Sequence, residues 1–315
     1  MNLKGKVALV AGATRGAGRG IAAMLGEAGA TVWCTGRSVA GASATPGRPE
    51  TLEETAALVE SKGGDAFVAR VDHTREDDVR RLFERVRAES GGLDILVNDI
   101  WGGDARTAWG TPFWKLDPAD AEAMIRSGLL THLVTARHGV PLLRERGKGL
   151  VVELTDGDGG NYRGHLYYDL VKMAVARLAF GMSEELRASN VAAVAVTPGF
   201  MRSEAVLDHF GVTESTWRDG VAKDANFAHS ETPFFVGRAV AALAADPRVM
   251  EKTGRVFASW TLSDEYGFTD VDGRRPHWGR HFATAYPGAT RPLDDGYYAY
   301  WRGYEAMASV FGSGT

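Results

Sequence analysis

Val7-Ala8-Leu9-Val10-Ala11-Gly12-Ala13-Thr14-Arg15-Gly16-Ala17-Gly18-Arg19-Gly20-Ile21 is the stretch whose reading decides the fold. It starts as an uncharged apolar run, Val7 to Val10, which reads as a buried strand. A glycine-rich turn follows, and residues 21–28 read as a helix. The same alternation continues outward. Strands are expected at 30–35, 66–71, 93–98, 150–155, 191–197 and 255–258. Helices are expected at 52–62, 77–89, 120–146, 167–188 and 234–245. Strands alternating with helices argue for a parallel sheet covered on both faces. Right-handed crossovers then make it a doubly wound α/β sheet. Three segments break the pattern. Residues 38–49 read as an inserted loop, 101–118 are irregular and aromatic, and the chain from Tyr266 onward shows little periodicity. Gly312-Ser313-Gly314-Thr315 is expected to be mobile.

The bulk properties exclude several classes. The chain has 315 residues, a formal net charge of −4 and no long basic run, so nucleic acid and anionic membranes are not expected partners. No apolar stretch is long enough to span a bilayer, and nothing resembling a signal peptide precedes the first strand. Cys34 is the only cysteine, which rules out an intrachain disulfide and multi-cysteine zinc sites. No metal is expected. A cytoplasmic location fits all of this.

A glycine-rich turn between a strand and a helix lets the backbone approach a pyrophosphate, and the helix N-terminus offers unpaired N–H groups. Gly12, Thr14, Arg15, Gly16 and Gly18 are therefore candidate dinucleotide-binding residues. Their spacing, G-x-x-x-G-x-G, acquires meaning from its position after the first strand. The second strand ends Cys34-Thr35-Gly36-Arg37-Ser38, without the carboxylate that would bind a ribose 2′-OH. Arg37, with Arg15 facing it, suits a 2′-phosphate instead. NADP(H) is expected over NAD(H), which stays possible; the plain alternative is two solvated arginines. Asp72 ends the third strand, where it either contacts adenine or caps the segment after it. Asn98 ends the fourth strand beside the expected crevice.

Tyr168 and Lys172 stand four apart on an expected helix and share a face. A nearby ammonium favours the tyrosinate, so Lys172 is expected to lower the Tyr168 pKa and make the phenol a proton carrier. With a dinucleotide site half a chain earlier, this points to hydride transfer between a nicotinamide and a carbonyl or alcohol carbon.

These motifs, with Leu93-Asp94-Ile95-Leu96-Val97-Asn98 and Thr197-Pro198-Gly199 followed by Ser203, make the chain resemble the short-chain dehydrogenase/reductase family over roughly its first 260 residues. Within it the chain is similar to the dehydrogenase/reductase SDR family member 1 subgroup, also in Glu265-Tyr266-Gly267-Phe268-Thr269-Asp270-Val271-Asp272-Gly273. The resemblance implies one Rossmann-type domain with a seven-stranded parallel sheet, at 1–262, and an aromatic-rich extension at 263–315 packed on it. It implies that the loop around Pro198 and Gly199 closes on the nicotinamide, that Ser203 contacts the cofactor, and that Lys172 also holds the ribose. A serine thirteen positions before the tyrosine falls at Thr155, which keeps the hydroxyl that orients the substrate oxygen. The family's Asn-Asn-Ala-Gly element keeps only Asn98, followed by Asp99-Ile100-Trp101-Gly102. The helix asparagine that holds a relay water in the family falls at Gly128. A homodimer or homotetramer through the helices bearing Gly128 and Tyr168 is implied.

Glu153 sits inside an apolar strand and needs a partner, expected on the helix carrying Gly128. Asp156 and Asp158 either touch substrate or are solvated. Loops 101–116, 156–165 and 200–227 bring aromatics to the carboxyl ends of the strands, which suits a bulky or aromatic substrate or else packs the loops. Two other classes remain open: a non-catalytic NADP(H) sensor, and an epimerase or dehydratase using the same site.

Overall fold

Seven strands, β1 (Val7–Ala11), β2 (Thr31–Gly36), β3 (Asp65–Arg70), β4 (Ile95–Asn98), β5 (Gly149–Leu154), β6 (Val191–Thr197) and β7 (Val256–Ala258), form one sheet. Their order is β3-β2-β1-β4-β5-β6-β7 and every pairing is parallel. This is the doubly wound sheet that the alternation predicts, with the strand number that the resemblance implies. The coordinates are those of a computed structural model, which describes residues 1–159 and 161–288. The expected mobility of Gly312–Thr315 lies outside the described residues, as does the extension beyond 288.

Ten helices are described: α1 (Gly16–Glu27), α2 (Leu52–Ser61), α3 (Glu76–Ser90), α4 (Pro118–Ile125), α5 (Thr131–Glu145), α6 (Leu166–Leu186), α7 (Glu204–Phe210), α8 (Pro233–Ala245), α9 (Ser259–Tyr266) and α10 (Trp278–Ala285). Strand side chains alternate between two cores. Ala8 and Val10 pack with Ile21 and Leu25 of α1 and Phe235 of α8. Val7, Leu9 and Ala11 pack on the other face with Phe83 of α3 and Leu143 of α5. Both faces are covered, which is why the strands read as unbroken apolar runs. Each fully buried aliphatic side chain contributes roughly 1.5–3 kcal/mol.

Element ends aside, the structure departs from the expected elements in four places, one of them α9, which follows β7 where no helix is expected. The helix expected at 120–146 is interrupted by a π-helical segment at Arg126–Leu130, between α4 and α5. The loop expected at 200–227 holds α7, capped by the Ser203 side chain. The stretch after Tyr266 holds α10, whose Trp278 packs against the first core.

Candidate functional site

β1 lies between β2 and β4, so consecutive strands depart in opposite directions and leave a crevice at their carboxyl ends. Gly12 turns the chain there with φ +94°, and its N–H donates to the Thr35 carbonyl at 2.9 Å. A Cβ on Gly12 would lie 2.3 Å from the Asp99 carbonyl oxygen, so only glycine fits. Gly18 packs beneath the turn, where a Cβ would lie 2.3 Å from the Gly12 carbonyl oxygen. Asp99 is half-buried there, and desolvation pushes its carboxyl up to about 7 against the opposing pull of Lys172 and the Gly18 N–H. The Gly16 N–H at the start of α1 donates to the Glu204 carboxylate at 2.8 Å. The turn thus already takes an anionic oxygen where a phosphate oxygen would sit, and the residues present fit a dinucleotide.

Thr14, Arg15, Gly16, Arg37 and Asp72 line the same cleft of about 920 Å³. Arg15 donates to Thr45 of the inserted loop at 3.1 Å, and Arg37 is exposed at the end of β2. Asp72 accepts from the Thr74 N–H at 3.0 Å and from its hydroxyl at 2.7 Å. It therefore turns the chain toward α3 and faces the cleft as well. Pro198, Gly199 and Ser203 line it too, with Ser203 beside Gly16. Asn98 does not line the cleft. Its side chain is fully buried beneath β4, where its amide donates to Glu153 at 2.7 Å. Glu153 in turn pairs with His132 Nδ1 at 2.6 Å, and His132 Nε2 meets the Ile100 carbonyl at 2.9 Å. Glu153 thus finds its partner on α5, next to the segment carrying Gly128, as its burial in the strand required.

Tyr168 and Lys172 stand together on the α6 wall of the cleft. The Lys172 ammonium lies 4.4 Å from the Trp101 ring centroid and 5.5 Å from that of Tyr168. Burial holds the lysine below its ordinary range. The expected lowering of the Tyr168 pKa is not what the structure gives. Burial first, and then the Asp156 carboxylate, push the phenol well above its ordinary range. The Tyr168 hydroxyl donates to Asp156 Oδ2 at 2.8 Å. Asp156 is also held by Arg163, through Nε at 3.2 Å and through a second guanidinium nitrogen. Thr155 lines the cleft, but its hydroxyl donates to the Lys172 carbonyl at 2.6 Å and ties β5 to α6. The group that touches Tyr168 is Asp156, for which substrate contact or solvation is the expectation. Among the described residues no cluster of three or more His, Cys, Asp or Glu could hold a metal ion.

A sequence profile described as short chain dehydrogenase matches residues 6–209. The chain belongs to the short-chain dehydrogenase/reductase family. It is 35% identical over 277 residues to Dehydrogenase/reductase SDR family member 1 of Mus musculus, covering 86% of this chain and 85% of that protein. The human protein of that name is 34% identical over 278 residues, with 86% and 85% covered. Among solved structures, a short-chain dehydrogenase of Mycobacterium thermoresistibile aligns with a TM-score of 0.72 at 22% identity, covering 88% of this chain and 93% of that one. A hydroxysteroid dehydrogenase of Escherichia coli aligns with a TM-score of 0.66 at 22% identity, covering 82% and 96%. These two show the fold. The family is one of oxidoreductases that use nicotinamide dinucleotides on small molecules.

Within this family member, Gly128 and Trp101 compensate for each other. Gly128 lies in the π-helical segment, and a Cβ there would meet the Trp101 ring at 2.8 Å and Val171 at 2.9 Å. The indole fills the room that an asparagine side chain would need. The short-chain dehydrogenase/reductase loop at Pro198 and Gly199 rests on another buried group, Glu231. Its Oε2 accepts from Ser259 at 2.7 Å, and its Oε1 has no partner among the described residues. Burial raises its carboxyl from 4.5 to about 8, opposed by bonds from Ser259 and the Gly199 N–H. A folded-state pKa above the unfolded one means that folding takes up a proton between the two values. This stabilisation is complete below 4.5 and is lost as pH rises through about 8. The melting temperature is expected to fall by several degrees across that window, and Glu231→Gln to flatten the fall. Parallel melting curves for the two proteins would contradict the protonated state.

Proposed function

We propose that the protein is an NADP(H)-dependent oxidoreductase acting on a carbonyl or alcohol carbon, with Tyr168 as the proton carrier. The observation that carries this reading is Tyr168 and Lys172 on one wall of the same cleft that the glycine turn opens. When bound, the nicotinamide supplies or takes the hydride. Gly12, Thr14, Arg15 and Gly16 hold the pyrophosphate, which displaces Glu204 from the Gly16 N–H; Gly18 keeps that turn closed. Arg37 and Arg15 receive the 2′-phosphate, Asp72 the adenine. Asn98 acts from beneath, by fixing the end of β4. Pro198, Gly199 and Ser203 border the nicotinamide, and Lys172 holds the ribose and counters charge on the phenol. Thr155 turns its hydroxyl from the Lys172 carbonyl to the substrate oxygen.

The substrate is a bulky or aromatic small molecule, because Trp101, Trp109, Tyr162 and Phe200 line the cleft. Exposed Ile125 and Leu133 on α4 and α5 and Leu170 on α6 suit a second copy, as homodimer or homotetramer. No helix among the described residues is long and apolar enough to cross a membrane, and the proposed setting is cytoplasmic. The loss of the relay asparagine to Gly128 keeps a second reading, an NADP(H) sensor, in play. Turnover of nicotinamide absorbance against aldehydes, ketones, quinones and the matching alcohols separates the two.

Cofactor choice has its own test. A charge-assisted contact to a phosphate contributes about 1.5–3 kcal/mol, or roughly 10–100-fold in affinity. Arg37→Ala is expected to weaken NADPH binding by that factor and to leave NADH binding unchanged. A wild-type protein that binds NADH more tightly than NADPH would overturn the assignment.

A further inference from the structure

The phenol of Tyr168 faces a carboxylate. Its hydroxyl donates to Asp156 Oδ2 at 2.8 Å, and the same oxygen takes the Arg163 Nε at 3.2 Å. Arg163 is itself fixed, since its backbone N–H donates to Asp169 at 2.9 Å. Asp156 stands two residues after the end of β5, so strand and loop both hold it. A neutral phenol donating to an arginine-held carboxylate is a proton pathway with the acceptor already in place. The Trp101 ring fills the space beside Gly128 that an asparagine side chain holding a relay water would need.

We infer that Asp156 is the proton acceptor behind Tyr168, and that Tyr168 works as a phenol that passes a proton on rather than as a tyrosinate. This rests on the oxidoreductase reading above. In alcohol oxidation the substrate hydroxyl gives its proton to Tyr168 Oη while the phenol proton moves to Asp156 Oδ2. The hydride leaves the same carbon for the nicotinamide, and the carbon–oxygen π bond forms. In carbonyl reduction the proton returns from Asp156 through Tyr168 to the substrate oxygen.

The charged groups around the pair come from every wall. Arg163 and Asp158 lie in its own loop, Lys172 on α6, Asp104 on the loop after β4, and Asp99 at the end of β4. His277, at the start of α10, acts on Asp158. The carboxylates here disfavour a tyrosinate, which is why burial and Asp156 together push the phenol upward.

Asp156→Asn keeps an acceptor for the Tyr168 hydroxyl and removes the proton acceptor. The whole chain, labelled at tyrosine Cζ and assigned with Tyr168→Phe, is titrated by NMR without substrate. Tyr168 is expected to ionise at least tenfold more readily in Asp156→Asn than in the wild type. With an alcohol that the wild type oxidises, Asp156→Asn is expected to lose at least about 100-fold in kcat near neutral pH. Its remaining rate rises about tenfold per pH unit with the tyrosinate fraction, whereas the wild-type rate is flat there. Asp156→Glu restores the flat profile. An unchanged Tyr168 titration overturns the inference, and so do parallel rate profiles with an unchanged kcat. Failure of the wild type to bind NADPH or NADP⁺ speaks against the oxidoreductase reading instead, and the two failures are distinct.

Discussion

Tyr168→Phe is expected to lower turnover by about 10²–10⁴-fold, the range a positioned proton carrier supplies, and to leave NADPH affinity and fold intact. Phenylalanine keeps the ring, so the contacts of the Tyr168 ring with Trp101, at 5.4 Å between centroids, and with Trp109, at 5.3 Å, persist. Only the hydroxyl is lost. Asp156 keeps both of its bonds from Arg163 and is not stranded. A lost hydrogen bond with its acceptor otherwise paired costs about 1 kcal/mol, too little to unfold the domain. The glycine turn and Arg37 lie elsewhere in the cleft and do not touch the phenol. Turnover and cofactor titration on the same sample separate the two effects. Wild-type turnover in the variant would remove Tyr168 from the reaction, and loss of cofactor binding would show that the substitution had disturbed the cleft.

The sheet was legible because its strands are buried on both faces. Val191 to Thr197 has no charged residue, and the expected strand matches β6 end for end. The glycine turn was legible because its position between strand and helix limits what it can be. Asn98 shows where such reading stops. Its place at the end of β4 puts it beside the crevice, but the two-residue period of a strand sends its side chain the way of Leu96, toward α5, and away from the cleft. Glu153 lies opposite it in the neighbouring strand, and that pairing is a property of the sheet register. The partner His132 was hidden for another reason. The π-helical segment Arg126–Leu130 shifts the helical phase, so a projection at 3.6 residues per turn from 120 onward assigns α5 side chains to the wrong faces. Asp156 could be named but not placed. Whether Thr155 or Asp156 meets the phenol depends on the path of the following loop, which Arg163 draws back onto Asp156. The missed α10 carries Trp278 and Phe282 one turn apart, a signal masked by Gly279 and the flanking prolines Pro276 and Pro287.

Gly128→Asn, which installs the family's usual residue, is expected to damage the site. The new Cβ alone would lie 2.8 Å from the Trp101 ring and 2.9 Å from Val171 Cγ1. Neither neighbour has an easy escape. Val171 is buried on α6, and the Trp101 indole N–H is held by Asp104 at 2.6 Å. Overpacking of this kind costs about 1–3 kcal/mol. The displaced ring also leaves the Lys172 ammonium, which it faces at 4.4 Å, and a buried contact of that type contributes about 0.5–2 kcal/mol. Lys172 then loses the surface that sets its direction toward Tyr168. Stability and turnover are both expected to fall, turnover by at least about tenfold, since one tenfold step in rate takes only about 1.4 kcal/mol. Trp101→Ala in the same chain makes room for the amide, so the double variant is expected to regain much of the lost stability. Residues in contact couple by about 0.5–3 kcal/mol in such cycles. Additive losses from Gly128→Asn and Trp101→Ala would show that the two residues do not share this space. Recovery of stability without recovery of turnover would show that the indole is needed for Lys172 as well as for packing.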